Sequence, residues 1–169
     1  SAALYSLAIA RGENVSIRTA AIGTLASRRD AQAIDSLVNS VIDRWETRVA
    51  IAEALAGMCG LDGPASEAMK QRAAATLIRR AEKDASARAR TAALAALGRM
   101  RAPDALPVFL RALDAESGDD RIRQAALGAL ADLDAVEGLA AAIRIAQPGY
   151  LSRTRPVAID TIARLAHHD

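Results

Sequence analysis

Few side chains in this sequence could carry out chemistry, and none has the spacing of a catalytic or metal-binding motif. The two histidines, His167 and His168, are adjacent and so point from different faces of a helix, whereas a zinc hydrolase needs two imidazoles on one face. The one cysteine, Cys59, has no histidine or cluster of cations beside it, so we interpret it as a small buried hydrophobe rather than a nucleophile. The sequence therefore predicts no catalytic residue, no metal site and no cofactor.

The glycines of segment 57–65 are the other candidate for ligand chemistry. Gly57, Gly60 and Gly63 recur every three residues, but no Lys-Ser or Lys-Thr follows them as in a phosphate-binding loop. We interpret the segment as an irregular insertion in which glycine serves chain geometry.

Five arginines mark an internal repeat. They are Arg18, Arg48, Arg90, Arg123 and Arg155, separated by 30, 42, 33 and 32 residues. Eight positions after each of these anchor arginines stands a small residue: Ala26, Ala56, Gly98, Ala131 and Ala163. An acid precedes each of the first four anchors, namely Glu13, Asp43, Asp84 and Asp119. The fixed offset favours a structural ladder in which each guanidinium binds a helix terminus or a neighbouring acid, and a row of phosphate-binding groups is the alternative.

Apolar residues recur at helical spacing on both sides of each anchor, so each unit is predicted to be an antiparallel pair of helices. The first helix of each pair carries the anchor, and the second follows after a short loop. The predicted helices span residues 2–10, 15–27, 31–42, 44–57, 66–83, 86–99, 104–114, 120–132, 135–147 and 153–166. The predicted fold is all-α, an α-α superhelix with four complete pairs and a half-pair at each end.

Two segments carry a family resemblance. Residues 119–130, Asp-Asp-Arg-Ile-Arg-Gln-Ala-Ala-Leu-Gly-Ala-Leu, and residues 87–98, Ala-Arg-Ala-Arg-Thr-Ala-Ala-Leu-Ala-Ala-Leu-Gly, resemble HEAT-like repeats of the phycobilisome-lyase type. The resemblance implies a HEAT-like solenoid in which second helices line the concave side. It implies little about function, because such repeats occur in scaffolds, lyase subunits and regulatory domains.

Composition and charge exclude several classes of protein. Hydrophobic residues make up 51% of the 169 residues, aromatic residues only 2%, and the net charge is +2. These values disfavour a β-sandwich and a disordered chain. No run of like charge is long enough to mark a nucleic-acid or membrane tail, although the pI is about 9.1. We therefore disfavour nucleic acid as a partner and expect no membrane segment.

Residues 1–169 are predicted to form a single HEAT-like repeat domain. Its first and last helices are apolar on their outer sides, whereas terminal repeats normally present a polar face. We therefore expect a segment of a longer chain, with dimerisation as another way to cover the ends.

The predicted function is a non-enzymatic scaffold that binds a protein, or another domain of the same chain, along its concave helix face. Candidate contact residues, chosen from the helical phase of the second helices, are Gln32, Asp35, Ser36, Asn39, Lys70, Arg79, Arg80, Arg111 and Arg144. The alternatives are a C-terminal helical extension of a larger enzyme such as a zinc aminopeptidase, a nucleic-acid-binding HEAT-like domain, and a member of a bilin lyase complex.

Overall fold

The computed structural model describes residues 2–10, 12–40, 44–115 and 119–168, and these residues form ten α-helices without a β-strand. The helices are α1 Ala2–Ile9, α2 Val15–Ser27, α3 Ala33–Asn39, α4 Trp45–Cys59, α5 Glu67–Lys83, α6 Ala87–Arg99, α7 Leu106–Leu113, α8 Arg121–Leu133, α9 Leu139–Ala146 and α10 Arg155–Leu165. Short 3-10 turns at Pro103–Ala105, Val136–Gly138 and Ala166–His168 adjoin α7, α9 and α10. The predicted all-α solenoid is confirmed.

Side-chain caps start several of these alanine-rich helices. Asn14 accepts the N–H of Ser16 at 2.8 Å at the start of α2, and Ser86 accepts the N–H of Ala89 at 3.4 Å at the start of α6. Each cap satisfies one backbone N–H that has no acceptor inside the helix.

The helices form two layers around a continuous core. The even-numbered helices α2 to α10, which carry the anchors, are the first helices, and the odd-numbered helices α1 to α9 are the second helices. Successive first helices approach one another closely, above all α6 and α8. Each second helix also approaches the following first helix more closely than the preceding one. The pairs α1–α2, α5–α6, α7–α8 and α9–α10 therefore also form hairpins, and both end helices have a close partner.

A small residue permits the closest approach between first helices. A Cβ atom placed on Gly98 of α6 would lie 2.6 Å from the Cα of Ala129 and 2.9 Å from its Cβ in α8. The position eight residues after an anchor therefore faces the next first helix. Ala56 and Ala131, at the same position, are 4% and 7% exposed.

Three first helices end in the same left-handed cap. Arg29, Arg101 and Asp134, each eleven residues after an anchor, have φ values of 52°, 50° and 63°. In each case the next residue donates its N–H to a carbonyl five residues back, at 3.0 to 3.2 Å. These bonds turn the chain sharply into the following second helix.

Helix α4 lacks this cap, and the chain passes through the predicted insertion, residues 57–65, before α5 begins. Helix α4 continues to Cys59, and the N–H of Ala65 then bonds the carbonyl of Met58 at 3.2 Å. Arg29 donates a hydrogen bond through Nη2 to the carbonyl of Asp62, so the insertion contacts the preceding loop.

The structure shortens some predicted helices. Helix α3 begins at Ala33 instead of residue 31 and ends at Asn39, and the predicted end at residue 42 lies outside the described residues. Helices α7 and α9 begin later than predicted because a 3-10 turn precedes each of them.

Candidate partner-binding surface

The second helices bury one side and present a polar side to solvent. In α3 the buried side holds Ile34 and Leu37, and in α5, α7 and α9 it holds Leu77, Phe109 and Ile145, all 0% exposed. Helical periodicity places the charged residues opposite this apolar stripe. We call the outward sides of α3, α5, α7 and α9, together with the residues that end these helices, the second-helix face.

Ion pairs between successive units cross the second-helix face. Arg72 of α5 bonds Asp35 of α3 through Nη2 at 2.7 Å and through Nε at 3.1 Å. In the same way Arg111 of α7 pairs with Glu82 of α5. Arg144 of α9 pairs with Asp114, which ends α7, at 3.3 Å. Each pair joins an acid of the earlier unit to an arginine of the later unit.

These pairs are exposed to solvent, so they hold the guanidinium groups in place without sequestering them. The side chains of Arg72, Arg111 and Arg144 are 48%, 63% and 58% exposed. Exposed pairs of this kind contribute about 0–1 kcal/mol each. A competing carboxylate can therefore replace the internal acid at low cost.

Helix α5 concentrates positive charge on this face. It carries five basic and two acidic side chains. Arg79 is exposed and has no ion pair among the described residues. Its neighbour Arg80 is half-buried, and its Nη1 is buried without a hydrogen-bond partner in the described part of the chain. Burial lowers the pKa of Arg80, Arg48 and Arg79 lower it further, and Asp84 opposes the shift.

The predicted contact residues differ in their exposure to solvent. Five are exposed: Gln32, Asn39, Arg79, Arg111 and Arg144. Four are half-buried: Asp35, Ser36, Lys70 and Arg80. Their role in binding stays a prediction.

Sequence reasoning missed three members of the cross-unit pairs, namely Arg72, Glu82 and Asp114. A signal for two of them exists in the sequence, because Glu82 and Asp114 lie 32 residues apart and Arg111 and Arg144 lie 33 apart. These separations equal those of the later anchors, so charges that recur with the repeat indicate contact between adjacent units.

The anchor arginines contact the ends of second helices. Three of them donate through Nε to a carbonyl in the last turn of the preceding second helix. The pairs are Arg90 to Ala81 at 2.9 Å, Arg123 to Leu113 at 2.7 Å and Arg155 to Ala146 at 2.9 Å. Arg18 is buried, and its Nε and Nη2 have no hydrogen-bond partner among the described residues. A structural role for all five stays a prediction.

The anchor Arg48 bonds an acid of the next unit instead. Its Nε and Nη2 donate to the two carboxylate oxygens of Asp84 at 2.7 and 2.9 Å, and the Asp84 side chain is only 5% exposed. Desolvation alone would raise the pKa of Asp84, but the bonds from Arg48 and from the Ser86 N–H, with the charges of Arg48 and Arg80, hold that pKa below its usual value.

A second buried acid joins the last two described first helices. Asp120 accepts Arg123 Nη1 at 2.6 Å and the hydroxyl of Thr154 at 3.0 Å. The Arg123 guanidinium also lies over the ring of Tyr150, 5.3 Å from its centre. Of the acids predicted before the anchors, Asp43 lies outside the described residues.

Open grooves run between the outer sides of the first helices. One groove of about 540 Å³ has Ala95, Ala125 and Val157 among its lining, with the paired Asp119 and Arg121 at its rim. The small side chains of Ala95 and Ala125 leave this space unfilled.

Of the residues weighed for chemistry, Cys59 is buried in the core, whereas His167 is exposed and contacts neighbouring groups at the surface. Cys59 is 1% exposed, and burial raises the pKa of its thiol to about 11, partly offset by Lys70. His167 contacts the carbonyl of Arg164 at 2.9 Å and Asp134 at 3.3 Å. The described residues contain no group of three or more potential metal ligands. Among the same residues, no helix combines the length and apolar character needed to cross a membrane.

Comparisons with family models and with solved structures each give a match. Residues 74–163, more than half of the chain, match the family described as HEAT repeats. The chain is similar in structure to the complex of CpcE and CpcF of phycocyanin lyase from Nostoc sp. PCC7120, with a TM-score of 0.74 and 21% sequence identity. That match covers 96% of this chain and 65% of that chain, and at this identity it shows the fold alone. No curated protein matches the chain.

Proposed function

Because the chain belongs to the family of HEAT-repeat proteins, we propose that it is a non-enzymatic interaction module that binds a protein along its second-helix face. The observation that carries the proposal is the row of exposed arginines, Arg72, Arg111 and Arg144, which successive units hold in place by ion pairs. The resemblance to HEAT-like repeats implies that the second helices form the concave layer.

The chemistry of the row selects an acidic partner segment. A guanidinium donates two parallel hydrogen bonds to a carboxylate, which gives geometric specificity as well as affinity. Arg79, which has no ion pair in the described part of the chain, provides a further donor beside the row.

Two findings support a protein partner over nucleic acid. Arg90, Arg123 and Arg155 are half-buried and bind backbone carbonyls through Nε, which favours a structural role over a surface row of phosphate-binding groups. One similar solved structure is itself a complex of two protein chains. That association is a property of the lyase complex, and for this chain it supports the proposal without naming the partner.

Site-specific photo-crosslinking tests the proposal. A photoreactive residue placed at Asn39 or Arg79 should capture a polypeptide from extract of the cells that make the protein. The matched probes at Glu53 and Arg121 are exposed on the first helices. They should not capture the polypeptide that the probes at Asn39 and Arg79 capture.

Three outcomes count against the proposal. Capture from the first-helix probes alone would place binding on the opposite layer. Capture of nucleic acid instead of polypeptide would favour the alternative of a nucleic-acid-binding domain. Turnover of a small substrate by the isolated chain would contradict the non-enzymatic role.

A further inference from the structure

Arginine recurs at one position of the later second helices. Arg79, Arg111 and Arg144 each stand two residues before the residue whose carbonyl accepts the Nε of the next anchor. In α5 and α7 the residue directly after that carbonyl is an acid, Glu82 or Asp114. We call these two places in each unit the arginine position and the acid position.

Each acid position that holds an acid binds the arginine position of the next unit. Glu82 of α5 pairs with Arg111 of α7, and Asp114 pairs with Arg144 of α9 at 3.3 Å. The second-helix face therefore carries a regular series of pairs, in which a carboxylate of one unit accepts the guanidinium of the next.

The first arginine of this series, Arg79, has no acid to bind. Glu82 and Asp114 stand eight and nine residues before the anchors that follow them. In α3 the residues at those two offsets are Ser40 and Asn39, and neither is an acid. Arg79 is accordingly exposed and has no ion pair among the residues that the structure describes.

Arg79 faces the junction between α3 and α5. It stands seven residues after Arg72, so both side chains leave the same side of α5, two turns apart. Arg72 bonds Asp35 of α3, which shows that this side of α5 is turned toward α3. Asn39 is the last residue of α3 and lies one turn after Asp35 on the same side. It is exposed, and its side-chain amide can donate hydrogen bonds to a carboxylate.

Positive charge exceeds negative charge around this site. The Arg80 guanidinium interacts with the charges of Asp84, Arg48 and Arg79. Burial lowers the pKa of Arg80, and repulsion from Arg48 and Arg79 lowers it further against the attraction of Asp84. Asp84 already accepts both donors of Arg48. A further carboxylate is therefore attracted to this place.

We propose that Arg79, together with the amide of Asn39 across the junction, is the principal site at which the second-helix face binds an Asp or Glu side chain of a partner protein. The partner's carboxylate takes the part that Glu82 and Asp114 play in the later units. The inference rests on the proposed function and adds to it which arginine selects the partner. A carboxylate must displace an internal acid to reach Arg111 or Arg144, whereas at Arg79 it displaces none.

Binding of a fluorescent hexaglutamate peptide, followed by anisotropy at physiological ionic strength, tests the proposal. Arg79→Gln should raise the dissociation constant at least about tenfold. Arg144→Gln should raise it less, because Asp114 already occupies that guanidinium. Arg99→Gln, an equal loss of charge at an exposed position of α6, should change it by less than about twofold.

A second variant supplies the missing acid from within the chain. Asn39→Asp keeps the shape of the side chain and should occupy Arg79, so it should weaken peptide binding about as much as Arg79→Gln. Adding Arg79→Gln to Asn39→Asp should then weaken binding little further, because both changes block the same site. Gln32→Glu, the matched control, makes the same charge change at an exposed residue before the other end of α3 and should bind like the wild type.

Several results would overturn the proposal. Equal weakening by Arg79→Gln and Arg144→Gln, or by Asn39→Asp and Gln32→Glu, would mean that the peptide responds only to overall charge. Absence of hexaglutamate binding would exclude the carboxylate site, whereas the proposed function would still be decided by crosslinking, which does not depend on carboxylates. Tighter binding of a hexauridylate RNA, weakened by Arg79→Gln, would make this a phosphate site. Circular dichroism verifies the fold, which these substitutions at exposed positions should preserve.

Discussion

Burial divides the arginine side chains into two classes. Anchors such as Arg48 and Arg123 are 18% and 12% exposed and bind buried acids or helix-end carbonyls of adjacent units. Arginines of the second-helix face, such as Arg72 and Arg111, bind acids across adjacent units but stay in solvent. The anchors are expected to contribute to stability, and the exposed arginines to recognition.

Substitution of Asp84 tests this division. Asp84→Asn leaves the bidentate donors of Arg48 without a charged acceptor in a partly buried place, which should cost about 1.5–3 kcal/mol in the free energy of unfolding. Asp35→Asn is the matched control, because Asp35 pairs with Arg72 in solvent and should cost about 0–1 kcal/mol. Urea denaturation at neutral pH measures both, and equal losses would contradict the division.

The pH dependence of the same pair has a definite sign. The pKa of Asp84 is held below its unfolded value, so its stabilisation is complete above that unfolded value, about 4. It is lost as the pH falls through the lower pKa of the folded state. The wild-type protein and Asp84→Asn should therefore converge in stability in strong acid, and a constant difference down to pH 2 would refute the assignment.

The residue types predicted that each anchor arginine would bind either a helix end or an acid. They did not predict which of the two a given anchor binds. The acceptor is a carbonyl for Arg90 and a distant carboxylate for Arg48. That choice depends on the lengths of the helices and loops between them, and the insertion after α4 alters those lengths for one unit only.

At the scale of the element, helical periodicity located all ten helices because their apolar positions recur with the period of a helix. It could not locate the 3-10 turns at Pro103–Ala105 and Val136–Gly138, because three residues are too few to distinguish the 3-10 period from the α-helical one. It did indicate a close helix contact at Gly98, where a small residue recurs eight positions after each anchor, but it could not tell whether the neighbour there is the paired helix or the next repeat.

Two helical glycines test the close packing of first helices. Gly98→Ala places a methyl group against Ala129 of α8 and should destabilise the fold by about 1–3 kcal/mol. Gly128→Ala, a control with nothing within 4 Å of its added Cβ, should stabilise it by about 0.5–1 kcal/mol through helix propensity. Thermal unfolding of the two variants should thus shift in opposite directions, and a shared direction would mean that Gly98 is not at a tight contact.

At the scale of the whole molecule, each unit of the solenoid contacts only its neighbours, so damage should stay local. Ala131→Leu adds three carbons between α8 and α10 and should reduce hydrogen-exchange protection in these helices while α2 and α4 keep theirs. Loss of protection throughout the described helices would instead indicate one cooperative core.

Binding by the second-helix face is the central claim, and charge reversal on that face tests it most directly. Isothermal titration of the partner identified by crosslinking should show affinity reduced at least about tenfold for Arg79→Glu combined with Arg111→Glu. The same measurement on Arg121→Glu combined with Arg164→Glu, an equal charge change on the first helices, should give wild-type affinity. Unchanged affinity for the first pair of substitutions, or a loss confined to the second pair, would contradict the account.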